Sequence, residues 1–443
     1  MNIIDTTAVT LQTLLGPSLD ELGRHTSVIK RHRKFSGMTL LKTLVLTLLK
    51  SPKADPKKYA ATAAKLGVIV TPQAIKKRFS PRLVAFLKKV LQEALEKVVA
   101  SRPVPIKLLR KFTAVRVGDS TTIRLPDEFA GEFPGCGGTA NSGKAALKIQ
   151  ALWDLLTGKL LTMDLEPGRH SDAKSVLLQG PVPAESLSIF DLGYFCLDRF
   201  VELIGYGAYW ISRWQQGTAV FHGDGRPLDL PRYVREHQGP WPIDIPILLG
   251  ANHRMACRLI VLRVPQEVAA RRRQAALEKA RKHGRTASQE QLAWCDWTIF
   301  LTNCPTDLLS WKEVVVFYRA RWQIELMFKL WKSHSHLDKH NTSRPAEWQM
   351  AELLAKLIGV IIQHWLLLTS TWINPRRSLW KAAMVIRDWI DILAESLDDL
   401  DRLRAVLVRM KAAIDALANV GCRVKQPSSF QLLCNPELLD YIA

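Results

Sequence analysis

Over residues 1–105 apolar positions recur three and four apart with basic residues between them, the period of amphipathic helices, and Pro103 and Pro105 close the stretch. Within it, residues 59–78 read as a helix, a turn centred on Gly67, and a second helix opened by Thr71 as N-cap with Pro72 at its first position. A helix-turn-helix of this kind would present Gln73, Lys76, Lys77 and Arg78 to DNA, and a helical hairpin with a basic solvent face fits the same pattern. From 112 to 213 the period shortens, predicting strands at 112–117, 123–125, 145–156, 159–165, 187–191 and 208–212. Helical stretches near 173–178 and 196–204 separate the last three, so consecutive strands give way to alternating strand and helix, the pattern of an α/β domain with a mixed sheet. Strand-like runs at 245–249, 259–264 and 297–302 around a basic helix at 266–282 mark 214–310 as an insertion. Helical period returns over 311–345 and continues from 348 to 417, where Trp365, Trp372, Trp380 and Trp389 suit a core or a subunit interface better than base reading. The division expected is therefore 1–105, 106–213, 214–310, 311–345 and 346–443, with no internal repeat.

Charge narrows the class of partner. The 62 basic and 41 acidic side chains leave a formal charge of +21, a surplus that favours a polyanion through counterion release, with nucleic acid foremost. An anionic membrane surface would attract the same charge, but the N-terminus has no basic segment followed by an apolar one, and secretion is not expected. The apolar run 353–371 is interrupted by Lys356, Gln363 and His364, as in a buried helix of a soluble protein. Seven scattered cysteines, Cys136, Cys196, Cys257, Cys295, Cys304, Cys422 and Cys434, form no C-x-x-C pair, which points to reduced thiols in a cytoplasm and against a zinc site.

The most informative segment is 317–332. Read as one helix at about 100° per residue with Tyr318 at zero, it places Arg321 near 300°, Glu325 near 340°, Lys329 near 20° and Lys332 near 320°, roughly one stripe. Phe317, Leu326, Met327 and Leu330 supply apolar area beside it. A solvated helix with i,i+4 ion pairs would show such a stripe too. Two aspartates alter the balance: Asp119, in Val-Gly-Asp-Ser-Thr-Thr, and Asp191, in Ile-Phe-Asp-Leu-Gly-Tyr-Phe, both expected at the C-terminal ends of strands, where side chains emerge into a crevice. Each alone could cap a turn or a helix. With Glu325 they supply three carboxylates, the donor set that two divalent cations need in phosphodiester displacement.

Together these segments resemble the DDE transposases of the insertion-sequence-four family. The resemblance covers about 110–345 and rests on Asp119, on Asp-x-Gly-x-Phe at Asp191, Gly193 and Phe195, and on Tyr318, Arg321, Glu325 and Lys332 at the spacing of that family's signature. Seventy-two residues separate Asp119 from Asp191 and 134 separate Asp191 from Glu325, consistent with an insertion before the glutamate. Gly-Arg-His-Ser-Asp at 168–172 and Leu-Thr-Asn at 301–303 also look familial. The resemblance implies an RNase H-like catalytic core, interrupted by the strand-rich insertion and flanked by helical N- and C-terminal domains. It implies two Mg²⁺ or Mn²⁺ ions held by Asp119, Asp191 and Glu325, with Asp119 shared between them, and transposon-end phosphates held by Tyr318, Arg321, Lys329 and Lys332. The substrates it implies are double-stranded transposon ends and target DNA, cut by water, passed through a hairpin and joined by a homodimer in a bacterial cytoplasm, with no membrane. Phosphoryl transfer by placement and charge neutralisation requires no catalytic histidine, so His170, His334, His336 and His340 are read as surface or supporting groups. Trp294 and Trp297 of the insertion, or Trp322, are candidates to stack on a flipped base, and Arg271, Arg272 and Arg273 could grip DNA or form a solvated basic face. A metal-dependent nuclease on the same core, and a DNA-binding protein with an inactive site, are the rival readings.

Overall fold

A computed structural model describes residues 2–441 apart from 31–33, 137–143, 340, 373, 375 and 422–426, so His340 and Cys422 lie outside the described residues. Nine strands are found among the described residues: β1 Val115–Arg124, β2 Ala146–Asp154, β3 Leu160–Pro167, β4 Leu187–Phe190, β5 Tyr209–Arg213, β6 Val220–His222, β7 Ile243–Leu249, β8 Met255–Arg263 and β9 Trp297–Thr302. With the many helices they make a mixed α/β protein. Contacts divide the chain into two compact units, each assembled from three stretches.

The first unit comprises Met1–Pro105, Ser120–His170 and Ile324–Cys422. Its centre is the helix Ala346–Leu368, apolar over nearly its whole length and buried from Trp348 onward. It is the one helix among the described residues long and apolar enough to cross a membrane, and its most apolar window is wholly enclosed by protein. The helices Gly37–Lys50 and Pro81–Glu96 pack on it. Gly37 is dictated by packing, since a Cβ there would lie 2.0 Å from the carbonyl oxygen of Leu19. Strands β2 and β3 form an antiparallel hairpin in register Leu147↔Pro167, with an irregularity at Leu152/Trp153. At its turn Gly158 has φ +71°, and a Cβ would sit 2.5 Å from both Leu368 and Trp372. The hairpin is tied down by Trp372 Nε1, which donates to the Leu155 carbonyl at 3.0 Å, and by His364 Nε2, which donates to the Gly158 carbonyl at 2.8 Å.

In the N-terminal stretch the turn expected at Gly67 is present, with φ +78°, and the Thr71 side chain accepts from the Ala74 amide at 3.2 Å as an N-cap. The second helix, Pro72–Lys76, is only five residues long. Gln73, Lys76 and Lys77 are exposed, whereas Arg78 places its guanidinium 5.5 Å from the Phe35 ring centre. The preceding helix, Pro56–Lys65, is anchored by Tyr59, whose hydroxyl donates to Glu352 Oε1 at 2.9 Å while Arg344 pairs with the same oxygen.

The second unit comprises Ile106–Asp119, Ser171–Gln323 and Arg423–Ala443. Here the first half of β1 pairs with β4 in parallel, β4 with β5 in parallel, and β5 with β9 antiparallel. The inserted strands β8, β7 and β6 continue outward from β9 as antiparallel neighbours. Their core gathers Phe200, Leu203, Trp210, Leu249, Leu259 and Leu301, with Phe200 stacked on Trp210 at 4.2 Å between ring centres. The basic helix is Gln266–Lys282, as its pattern predicts, and two of its three consecutive arginines are used internally. Arg272 Nη1 donates to the Trp297 carbonyl at 3.0 Å and Arg273 pairs with Asp296 at 2.6 Å, leaving Arg271 as the exposed one. The stretch 173–178, expected to be helical, is two single 3₁₀ turns, Asp172–Lys174 and Val176–Leu178.

Candidate active site

The two aspartates are brought together by strand register. In the parallel pair β1–β4 the last partners are Gly118 and Phe190, so the next residue on each strand is Asp119 and Asp191. Partners in a parallel pair lie about 4.8 Å apart and point to the same face. Asp119 is not at the end of its strand as expected: predicted strands 112–117 and 123–125 are one strand, β1, and Asp119 sits in its middle, where pairing with β4 stops. Asp191 does precede a 3₁₀ turn, Leu192–Tyr194, but makes no side-chain capping hydrogen bond there, so capping does not explain it.

Neighbouring motif residues support this pair. Gly193 faces Asp172, with a Cβ position 3.4 Å from Asp172 Oδ2, so the Gly-Arg-His-Ser-Asp and Asp-x-Gly-x-Phe segments meet. Phe195 packs edge-on against Phe200, 5.3 Å between ring centres. Asn303 of Leu-Thr-Asn accepts from the Trp210 amide at 2.8 Å and donates to the Ala208 carbonyl at 2.9 Å, extending the β5–β9 ladder with a side chain. That phrase is architectural.

The 317–332 segment is not one continuous helix. The helix Trp311–Ala320 ends at Arg321, and a second, Trp322–Ser333, begins beyond it. At the join Arg321 keeps helical angles, φ −50° and ψ −33°, so the interruption is one of hydrogen bonding. The first helix starts with a capping box between Ser310 and Glu313 and buries Val314, Val316 and Phe317. Its far end meets the aspartates: Tyr318 Oη donates to Asp191 Oδ1 at 3.1 Å, and Arg321 Nη1 donates to Asp119 Oδ2 at 3.1 Å. Arg321 Nε stands 4.0 Å from Asp191 Oδ1, so one guanidinium lies within ion-pair distance of both carboxylates. Arg321 is 13% exposed, Asp119 19% and Asp191 45%, so the pair opens to solvent on the Asp191 side. Burial, then the neighbouring Asp191 charge, push the Tyr318 phenol above its ordinary value, so it stays a donor throughout the working pH range.

Glu325 is half-buried on the second helix, one turn after Arg321, with Lys329 and Lys332 four and seven residues further on and therefore on its face. Lys332 Nζ reaches the Thr122 carbonyl on the second half of β1 at 3.4 Å. Lys329 is exposed. Beside the motif a cleft of about 330 Å³ is lined by Tyr318, Arg319, Arg321, Trp322, Pro427, Ser429 and Leu432. Trp322 is 54% exposed there, while Trp294 packs among Trp214, at 4.9 Å, and Trp297, at 6.3 Å, inside the insertion. Of the histidines, His170 pairs with Glu166 at 2.7 Å, and His334 is buried against Arg387 and Gln363.

Among the described residues no three His, Cys, Asp or Glu side chains are gathered closely enough to hold a metal ion. The Asp119–Asp191 pair nevertheless offers the hard oxygen donors that Mg²⁺ or Mn²⁺ selects, at a place where the Arg321 guanidinium now supplies the compensating positive charge. The donor set fits such a cation.

The model of the Transposase DDE domain matches residues 110–357, more than half of the chain, including Asp119, Asp191 and the segment from Tyr318 to Lys332. The chain belongs to the DDE transposase family. Relatives in this family extend beyond the matched domain. The transposase for insertion sequence element IS231F of Bacillus thuringiensis subsp. israelensis is 26% identical over 457 residues, covering 96% of this chain and 94% of that one. The transposase for IS1151 of Clostridium perfringens is 26% identical over 317 residues, 67% of this chain and 66% of its own. The putative transposase InsL for IS186A of Escherichia coli K12 is 27% identical over 253 residues, 54% and 66% of the two chains.

Proposed function

We propose that this chain excises an insertion sequence and joins it to new DNA by cutting and pasting, on an RNase H-like core formed around β1, β4 and β5. The observation that carries this reading is the Asp119–Asp191 pair, set side by side by parallel register and contacted by Tyr318 and Arg321 of the segment that continues to Glu325. Asp119, Asp191 and Glu325 would hold two Mg²⁺ or Mn²⁺ ions. When bound, such ions make an attacking oxygen more nucleophilic and neutralise the leaving one.

The chain's own side chains supply the rest. Lys329 and Lys332 bind the phosphates of the transposon end, and Tyr318 and Arg321 keep the aspartates aligned and turn to the scissile phosphate when DNA is seated. Water hydrolyses the phosphodiester at the transposon end to leave a 3′-hydroxyl; that hydroxyl attacks the opposite strand, forming a hairpin and expelling the flanking 3′-oxygen; a second water reopens the hairpin, and the restored 3′-hydroxyl joins a target strand by displacing a 3′-oxygen there. The helices of 1–105 bind the end, the insertion 214–310 braces the core, and 346–443 contributes to a homodimer that pairs two ends in a bacterial cytoplasm.

The test uses the purified protein and its Glu325→Gln variant with Mg²⁺, the element's own end DNA and a supercoiled target plasmid. Excised, hairpinned and joined products from the wild type alone are expected, with end binding retained by the variant. Cutting without joining would convert the assignment to a nuclease, and joined products from the variant would remove Glu325 from the site.

A further inference from the structure

The insertion is joined to the catalytic segment by 303–310, between β9 and the helix Trp311–Ala320. Two cations hold this connection. Arg258 of β8 is buried, and its fork grips Asp244 of β7, with Nε at 3.1 Å from Oδ1 and Nη2 at 2.5 Å from Oδ2. Its remaining nitrogen, Nη1, donates to the carbonyls of Cys304 at 2.9 Å and Leu309 at 2.8 Å, the two ends of the connection. Lys111, in the segment leading into β1, donates to the Leu308 carbonyl at 2.9 Å and to Glu313 Oε1 at 2.7 Å. Glu313 is also the capping-box residue of the helix, so Lys111 closes on its first turn while Arg258 holds the connection just ahead of it.

We propose that Arg258 and Lys111 are positioning residues that fix the helix Trp311–Ala320 along its axis, and so hold Tyr318 on Asp191 and Arg321 on Asp119. The proposal rests on the reading of those aspartates as the cutting site. The helix is rigid between its two ends, with Val314, Val316 and Phe317 fully buried and Phe317 edge-on to Phe112 at 5.5 Å. Its bonds to the aspartates are 3.1 Å long, so a slip of about 1 Å would carry both past hydrogen-bond range. Misplacement of that size costs on the order of a hundredfold in rate when the displaced groups align the reacting centre. The fork is needed because a lysine has no planar pair of donors for Asp244 and could not also serve two carbonyls. On this view the insertion is a brace on the chemistry as well as a surface for DNA.

The test is a double-mutant cycle on the full chain with Mg²⁺ and end DNA, reading single-turnover cleavage, end-DNA affinity and thermal midpoint. Arg258→Met should slow cleavage about tenfold or more with affinity unchanged, and by a clearly smaller factor in a Tyr318→Phe background, because one of the two contacts it holds in place is already gone there. Equal fold losses in both backgrounds, or none in either, would overturn the proposal. Should Arg258→Met leave Asp244 too exposed a charge to fold around, Arg258→Met with Asp244→Leu removes the ion pair together. Lys111→Met, which breaks only the other cation's hold, carries the same comparison. Glu325→Gln is the control: if it cleaves like the wild type, the site reading fails, whereas if it is inactive and Arg258→Met is unimpaired, only the positioning role fails.

Discussion

Asp119, Asp191, Tyr318 and Arg321 form one contact set in which two carboxylates share a single guanidinium and Asp191 also accepts from a phenol. Residue types and spacing made this set legible in the sequence, because the chemistry demands carboxylates and cations and the family spacing orders them. Their mutual contacts were not legible: Arg321 and Tyr318 read as phosphate ligands, and only the fold shows them resting on the aspartates. Tyr318→Phe removes one hydrogen bond to Asp191, and we expect cleavage to slow about tenfold with end binding kept; a rate within twofold of wild type would remove Tyr318 from the chemistry. Lys332→Ala should weaken end binding across sequences and flatten the log–log salt dependence by about one unit, as loss of one phosphate contact requires. An unchanged slope in a salt titration would exclude Lys332 as that contact.

At the scale of elements, period-2 and period-3.6 patterns placed most strands and the basic helix within a few residues, since each buries one face. Errors fell where local pattern carries little weight. β6 is three residues long and was not foreseen. The break at Arg321 has no Gly or Pro to mark it, and the backbone there stays helical at φ −50° and ψ −33°, so only hydrogen bonding reveals the join. Residues 173–178 have the apolar spacing of a helix but turn as two separate 3₁₀ turns. Gly158 shows how an element can depend on a residue with no side chain. Gly158→Ala would drive a methyl group into Leu368 and Trp372 at a positive φ, and we expect a loss of roughly 2–4 kcal/mol in urea denaturation. A change under about 0.5 kcal/mol would show that the hairpin yields at no cost.

For the whole molecule, the +21 charge pointed to a polyanion before any motif was considered, but how the chain divides was not legible. Each compact unit draws on three separated stretches, a result of pairing over long sequence distances that local patterns do not encode. Stability across pH is a property of this scale. Burial first, and the adjacent Arg387 charge second, hold His334 down to about 4, and burial alone does the same to His364 despite its bond to Gly158. Both are therefore neutral in the fold, and both would bind protons near pH 6.5 once unfolded. Their contribution is fully present above pH 6.5 and is lost as pH falls toward 4, on the order of 2 kcal/mol for each. A thermal midpoint that does not fall between pH 6.5 and 4 would contradict this, and His364→Gln should flatten the slope. The register that pairs Gly118 with Phe190 also sets a rule of parity for the gene. The 72-residue interval between the aspartates can grow or shrink wherever it loops, but one codon gained or lost inside β1 or β4 ahead of either aspartate turns that carboxylate to the opposite face. Length can therefore vary in the loops between the aspartates at no cost to the site, while a single in-frame codon inside either strand would misplace a carboxylate together with the core side chains of that strand.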